Sequence, residues 1–117
     1  MNKRQTGSKW EEEAARFLTQ SGLTIKEMNF RNRFGEIDII AKDGDYLVFV
    51  EVKYRKTASC GNPEEAVDIR KIRTICKVAD YYRVCRRISD DAKIRFDVIA
   101  IEGDSFKWYK NAFGYIS

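Results

Sequence analysis

The chain has 117 residues, of which 44% are hydrophobic and 34% are charged, with a formal net charge of +4. This length suits one domain with a single core, so we expect residues 1–117 to form one domain, and the composition excludes a disordered chain. The sequence contains no uninterrupted apolar run of about 18 residues, which excludes a membrane-spanning helix, and we expect a cytoplasmic protein. A pI near 9.0 suits a polyanionic partner.

Histidine is absent, and the three cysteines, Cys60, Cys76 and Cys85, lack Cys-x-x-Cys spacing. The pattern supports neither a zinc site nor a disulfide framework, and we expect ordinary buried or half-buried cysteines. Ser-His and Cys-His catalysis are excluded as well. Any catalysis in this chain must therefore use carboxylates and lysine, and we expect a metal ion to assist them.

Helical spacing of apolar residues predicts a first helix over residues 7–22. Ser8 is a candidate N-cap, and Glu11 would complete a capping box three residues later. A catalytic role for Glu11 is the alternative, and the pattern alone does not decide between the two. A weakly patterned strand over residues 23–30 and a basic turn at residues 31–33 follow.

Two apolar strands, over residues 35–42 and 45–55, flank an Asp43-Gly44 turn and predict a β-hairpin. Charged side chains are depleted from such strands, yet this hairpin contains four that call for an explanation: Glu36, Asp38, Glu51 and Lys53.

A polar loop over residues 56–62 and Pro63 lead into a second helix, predicted over 64 to about 87. Basic residues outnumber acidic ones on this helix, which indicates either a solvated face or a phosphate-contacting face. A buried strand over 93–101 and a short edge strand over 105–109 complete the chain. This order predicts an α/β fold with an αβββαβ core, whose mixed sheet is flanked by two helices.

The hairpin places Asp38 and Glu51 on the same face of the sheet. A turn centred on Asp43-Gly44 makes them diagonal neighbours, whereas a turn at Gly44-Asp45 makes them directly opposite. Paired carboxylates repel each other, so we expect a divalent cation, Mg2+ or Mn2+, between them, with the main-chain carbonyl of Val52 as a further candidate ligand. Lys53 lies on the same face as Glu51, where its ammonium can reach a phosphate oxygen. The competing interpretation is a salt-bridged, solvent-facing sheet surface.

Asp38 and the Glu51-Val52-Lys53 segment resemble the Asp…Glu-x-Lys signature of the PD-(D/E)XK nuclease superfamily, whose core is restriction-endonuclease-like. More closely, the chain resembles the small bacterial YraN-like family of predicted endonucleases, distantly similar to archaeal Holliday junction resolvases. The segments that carry this resemblance are Gly7 and Glu11 to Leu18, Asn29-Phe30-Arg31, Gly35-Glu36-Ile37-Asp38, Phe49-Val50-Glu51-Val52-Lys53 with Arg55, Gly61 and Pro63 to Val67 with Lys71, Arg95-Phe96-Asp97-Val98 and Asn111-Ala112-Phe113.

The resemblance implies a metal-dependent endonuclease acting on DNA, with branched or damaged structures and a repair or recombination role as the expected context. It implies catalytic positions at Asp38, Glu51, Lys53 and Glu11, metal ligands at Asp38 and Glu51, and a supporting role for Glu36. We expect DNA contacts from a set of basic residues: Arg31, Arg33, Arg55, Lys56 and Lys71.

The alternative function is a non-catalytic nucleic-acid-binding module with a vestigial site. A homodimer is also a candidate, because a two-fold branched substrate suits two active sites. Aromatic residues near the C-terminal end could bury in a dimer interface or in the core, and the sequence leaves both open: Phe106, Trp108, Tyr109, Phe113 and Tyr115.

Overall fold

The structure is a computed structural model and describes residues 3–55 and 67–117. The elements follow the order α1 (Lys3–Gln20), β1 (Thr24–Asn32), β2 (Gly35–Asp43), β3 (Tyr46–Arg55), α2 (Ile69–Cys85), β4 (Lys93–Glu102) and β5 (Ser105–Phe113). This arrangement confirms the predicted α/β fold with a restriction-endonuclease-like core. The predicted polar loop, Cys60 and Pro63 lie outside the described residues.

The five strands form one sheet in the order β1-β2-β3-β4-β5. β3 and β4 are parallel, whereas every other neighbouring pair is antiparallel, so the predicted mixed sheet is confirmed. A parallel pair needs a long crossover connection, and α2 lies between β3 and β4 in the chain.

Both faces of the sheet are buried, each against one helix. The α1-side core joins the helix to one face and comprises Ala14, Ala15, Leu18, Leu23, Ile39, Ala41, Val48, Val50, Ile99 and Ile101. The α2-side core lies on the other face and comprises Ile37, Ile40, Leu47, Phe49, Val67, Ile75, Cys76, Val78, Ala79, Tyr82, Phe96 and Val98. The near-continuous apolar runs of the central strands follow from this burial on two sides.

The helix starts differ from the prediction. α1 begins at Lys3, so Ser8 lies inside the helix and the predicted N-cap there is wrong. α2 begins at Ile69, because Asp68 is its N-cap and accepts a hydrogen bond from the Lys71 N–H at 2.9 Å. Cys76 is buried as expected, whereas Cys85 is exposed, which corrects its predicted burial.

The C-terminal strand β5 extends to Phe113, further than the predicted short strand. Its aromatic side chains pack inward: Phe106 stacks on Phe17 with ring centroids 5.3 Å apart, and Phe113 stacks on Phe96 at 5.1 Å. Core packing therefore accounts for these rings without a second copy of the chain. Neither helix in the described part of the chain is apolar and long enough to span a bilayer.

Asp97 on β4 is a buried anchor for β5. Its carboxylate accepts hydrogen bonds from Arg95 Nε and Nη2, from Trp108 Nε1 and from the Asn111 N–H, at 2.8 to 2.9 Å. Arg95 also reaches Asp43 at 3.0 Å. A fully buried carboxylate survives only when its lone pairs are satisfied in this way, so Asp97 has a structural role.

Candidate active site

The β2–β3 hairpin takes one of the two registers that the sequence allows. Asp43 pairs with Tyr46 and Ile39 pairs with Val50, so the turn residues are Gly44 and Asp45. One step beyond the Ile39–Val50 pair, this register sets Asp38 across from Glu51. The two carboxylates thus meet where the paired part of the hairpin ends.

Asp38 is fixed at this point by the backbone of β3. Its Oδ2 atom accepts a hydrogen bond from the Val52 N–H at 2.8 Å. Burial and the neighbouring carboxylates of Glu51 and Glu11 raise the pKa of Asp38 from 3.8 to about 9, although the Val52 N–H opposes the rise. Without a cation, the site therefore favours the protonated form of Asp38 at neutral pH.

Glu51 is the buried member of the pair, with 5% of its surface exposed. Its Oε2 atom lies 3.7 Å from Lys53 Nζ and 3.4 Å from Lys71 Nζ, the latter reaching across from α2. Its Oε1 atom is buried and has no hydrogen-bond partner within the residues that the structure describes. An unpartnered buried carboxylate oxygen is costly, and it is the kind of atom that binds a cation.

Glu11 joins this site from α1. Its Oε1 atom accepts a hydrogen bond of 2.5 Å from Asn29 Nδ2 on β1, and its charge contributes to the raised pKa of Asp38. The structure therefore brings together all four side chains that the resemblance implies as catalytic: Glu11, Asp38, Glu51 and Lys53.

Asn29 also changes the strand geometry beside Asp38. Its φ of 54° is in the left-handed region, which asparagine tolerates better than most residues. Met28 pairs with Ile39 and Phe30 pairs with Ile37, so Asn29 lies opposite Asp38.

Around this point, regular alternation between faces is interrupted. Ile37 packs in the α2-side core and Ile39 in the α1-side core, although residues two apart in a regular strand share a face. Regular alternation would place Glu36, Asp38 and Ile40 on one face, and the change of core between Ile37 and Ile39 breaks that pattern. Asp38 lies at the crossing point, where it can meet both Glu11 from the α1 side and Glu51 from the α2 side.

An aromatic pair lies between α1 and β3, beside the site. The Trp10 ring stacks on the Tyr54 ring, with centroids 4.0 Å apart. Trp10 precedes Glu11 in the sequence, and Tyr54 follows Lys53. The stack ties α1 to the end of β3. Neither this pair nor the role of Asn29 was predicted; the tolerance of asparagine for positive φ was the one available signal.

The remaining predicted residues lie toward the β1–β2 turn or outside the described part. Glu36 forms a 3.0 Å ion pair with Arg31, and Arg33 lies over the ring of Phe34. Lys56 lies outside the described residues, and for Arg55 the structure describes the backbone end of β3 but not the side chain.

The carboxylates of this site fit a metal ion that also takes ligands from water and substrate. In residues 3–55 and 67–117, no three Asp, Glu, Cys or His side chains are grouped closely enough to form a preassembled metal cage. Mg2+, however, commonly takes only one or two carboxylates and fills its other positions with water and substrate oxygens. The unpartnered Oε1 of Glu51 and the raised pKa of Asp38 fit that mode of binding.

Comparison with known proteins identifies relatives over nearly the whole chain. The profile of the "Uncharacterised protein family UPF0102" matches residues 10–101. A UPF0102 protein of Lachnoclostridium phytofermentans is 45% identical over 113 residues, which cover 97% of this chain and 96% of that protein. Two further relatives carry the same family name. The protein of Fusobacterium nucleatum is 45% identical, over 95% of this chain and 92% of that protein. The protein of Klebsiella pneumoniae is 41% identical, over 95% of this chain and 88% of that protein. The YraN-like resemblance is thereby confirmed, and the chain belongs to the UPF0102 family.

Proposed function

We propose that this protein is a metal-dependent endonuclease that hydrolyses phosphodiester bonds in DNA. The observation that carries the proposal is the meeting of Asp38 and Glu51 at the end of the hairpin, with Lys53 beside them. Both carboxylates are partly or fully buried, and one has an oxygen without a partner in the described residues. Their burial destabilises the fold, which indicates a function other than stability.

Asp38 and Glu51 would hold a Mg2+ or Mn2+ ion. When bound there, the ion would polarise the phosphodiester group and lower the pKa of an attacking water. The Glu51 Oε1 atom and the Asp38 carboxylate are the oxygens available for this task.

The other steps fall to side chains of the chain itself. Lys53 Nζ would contact a non-bridging phosphate oxygen and stabilise the negative charge that develops in the transition state. Glu11, held by Asn29, would orient the attacking water through its second carboxylate oxygen. Lys71 reaches Glu51 from α2, where it would limit the repulsion between the carboxylates.

The proposed context is branched or damaged DNA in repair or recombination. A homodimer would suit such a substrate, because a two-fold junction presents two equivalent phosphates to two active sites. Phe106 and Phe113 already pack against Phe17 and Phe96, so they need no dimer interface to cover them.

A DNA-binding module with a vestigial site is the second candidate. The observation in its favour is that Lys53 and Lys71 both lie within 4 Å of Glu51 and can neutralise it without a metal. Such a module would bind DNA with strong salt dependence and would not need a divalent cation.

The test is a cleavage assay with Mg2+ or Mn2+ on branched, nicked, single-stranded and duplex DNA, using wild type, Glu51→Gln and Asp38→Asn. Glu102→Gln is a matched control, because Glu102 is also largely buried and lies 3.5 Å from Lys107 Nζ. Cleavage by wild type and by the control, reduced at least a hundredfold in both site variants, is the expected result. If wild type cleaves none of these substrates but binds DNA without a metal ion, the result would favour the vestigial module.

A further inference from the structure

A second concave surface lies between the β1–β2 turn and α2. This pocket has a volume of about 460 Å³ and is lined by Arg31, Asn32, Arg33, Phe34 and Tyr81. Its two aromatic side chains are exposed to solvent, Phe34 by 45% and Tyr81 by 48%. The volume is in the range of small-ligand pockets, and nothing in the proposed hydrolysis uses these rings.

Cations surround the Phe34 ring. The Arg33 guanidinium carbon lies 5.0 Å from the ring centroid, and Lys77 Nζ on α2 lies 5.5 Å from it. Arg31, in contrast, is already paired with Glu36. The pocket thus combines exposed aromatic faces with at least two cations, which is the combination that binds a base together with its phosphate.

The pocket is connected to the carboxylates through one stripe of α2. Lys71, Thr74, Lys77 and Tyr81 recur at three- and four-residue spacing, so they share one side of the helix. Lys71 contacts Glu51 at one end of this stripe, and Tyr81 lines the pocket at the other.

Close packing fixes the strand that joins the two sites. A Cβ atom at Gly35, between Phe34 and the hairpin carboxylates, would lie 2.5 Å from Thr74 Cγ2, so the glycine lets β2 lie directly against α2. From Lys71 to Tyr81 the helix rises about 15 Å. That length corresponds to about four stacked nucleotides at roughly 3.4 Å each.

We propose that this pocket binds an unpaired base of DNA, which stacks on Phe34 and Tyr81 while Arg33 and Lys77 contact its flanking phosphates. A base inside a duplex is already stacked and paired, so moving it onto protein rings costs the free energy of unstacking and unpairing. An unpaired base can stack on the rings without that cost. The inference rests on the proposed action on DNA and names its substrate class: DNA with a single-stranded segment beside a duplex. The scissile bond would lie about four nucleotides from the captured base.

The test uses Asp38→Asn protein, without added metal, and two fluorescent DNA probes of equal length. One probe is a fully paired duplex, and the other carries a short single-stranded flap with 2-aminopurine at the unpaired position. Affinity is measured by anisotropy and stacking by quenching of 2-aminopurine. Phe34→Ala and Tyr81→Ala are the test substitutions, and Phe34→Trp should retain stacking.

Tyr46→Ala is the matched control. Tyr46 is 40% exposed and has Lys93 and Arg95 over its ring, but it is the first residue of β3 and does not line the pocket. We expect the flap to bind about five- to 150-fold more tightly than the duplex, as one stacked base implies. This preference and the quenching should disappear in Phe34→Ala and persist in Tyr46→Ala and Phe34→Trp.

The outcomes separate this inference from the proposed nuclease activity. Equal affinity for flap and duplex, or a preference that survives loss of both rings, would overturn the pocket assignment even if wild type cleaves DNA. If the preference for the flap depends on Phe34 but wild type cleaves no DNA with Mg2+ or Mn2+, the pocket assignment is supported and the proposed nuclease activity is rejected. When cleavage occurs, the cut should lie about four nucleotides from the captured unpaired base.

Discussion

Replacing Asp38 by asparagine should stabilise the metal-free protein while abolishing its proposed activity. The substitution removes the carboxylate whose pKa is raised to about 9, yet the new amide oxygen can still accept the Val52 hydrogen bond of 2.8 Å. The variant therefore keeps the local geometry and loses only the ionisable group.

The sign follows from proton binding. The folded state holds the proton of Asp38 up to about pH 9, whereas the unfolded state releases it near pH 3.8, so stability falls as the pH rises between these values. Each pH unit in this window corresponds to about 1.4 kcal/mol, which limits the loss to roughly 4 kcal/mol at pH 7. Lys53, Lys71 and relaxation of the side chains reduce this limit, and we expect a gain of about 2 kcal/mol for Asp38→Asn.

The assay is urea unfolding with EDTA at pH 4, 5.5, 7 and 8.5. The advantage of Asp38→Asn should be near zero at pH 4 and should grow with pH. In thermal unfolding at pH 7, it should appear as a Tm raised by roughly 10 °C. Glu102→Gln should show no comparable gain. Added Mg2+ should stabilise wild type by about 1.4 kcal/mol at tenfold excess over its Kd, and should leave Asp38→Asn unchanged.

Two results would refute this reasoning. One is an Asp38→Asn protein that is less stable than wild type at every pH, which would mean that the carboxylate is a net structural contact. The other is a gain that does not change between pH 4 and 8.5, because proton linkage could not then be its source.

Three further substitutions probe the supports of the fold and the site. Asn29→Gly keeps the positive φ but loses the hydrogen bond to Glu11, so cleavage should fall about tenfold while urea unfolding shows a loss of at most about 1 kcal/mol. Asn29→Ala should lose about 1–2 kcal/mol more, because alanine is strained at a positive φ. Gly35→Ala should destabilise the protein by about 1–3 kcal/mol in thermal unfolding, and Thr74→Ser in the same chain should restore most of it by removing the clashing methyl; no restoration would contradict the packing argument. Asp97→Asn should cost roughly 3–5 kcal/mol in urea unfolding, because an amide oxygen cannot accept from four donors and the Arg95 guanidinium keeps only Asp43 as a carboxylate partner. A loss below about 1 kcal/mol would show that water replaces the carboxylate.

Much of the fold could be predicted because local signals agreed with tertiary packing. The turn beside Gly44 and the apolar runs on either side of it predicted the hairpin, and the register was limited to two possibilities before the structure selected one. Asp38 and Glu51 were found because charged residues are out of place in such strands.

What could not be predicted depends on contacts between distant segments. The contact from Asn29 to Glu11 joins β1 to α1, and the change of face around Asp38 breaks the period-two rule on which strand arguments rest. The predicted starts of both helices were wrong for a local reason. Ser8 has the side chain of an N-cap, but α1 begins before it, at Lys3. Asp68 is the N-cap of α2, and the apolar pattern of the sequence did not indicate it.

The hydrogen bond from the Asn111 N–H to Asp97 has a consequence for self-association. β5 is an edge strand, and such edges expose N–H and C=O groups that can pair with a second sheet. Here the positive φ of Asn111 turns one N–H inward, the register shifts between Phe96 and Val98, and Lys107 and Lys110 add charge to the strand. Continuous sheet pairing through β5 is therefore discouraged, which protects a long unpaired strand from edge-to-edge aggregation.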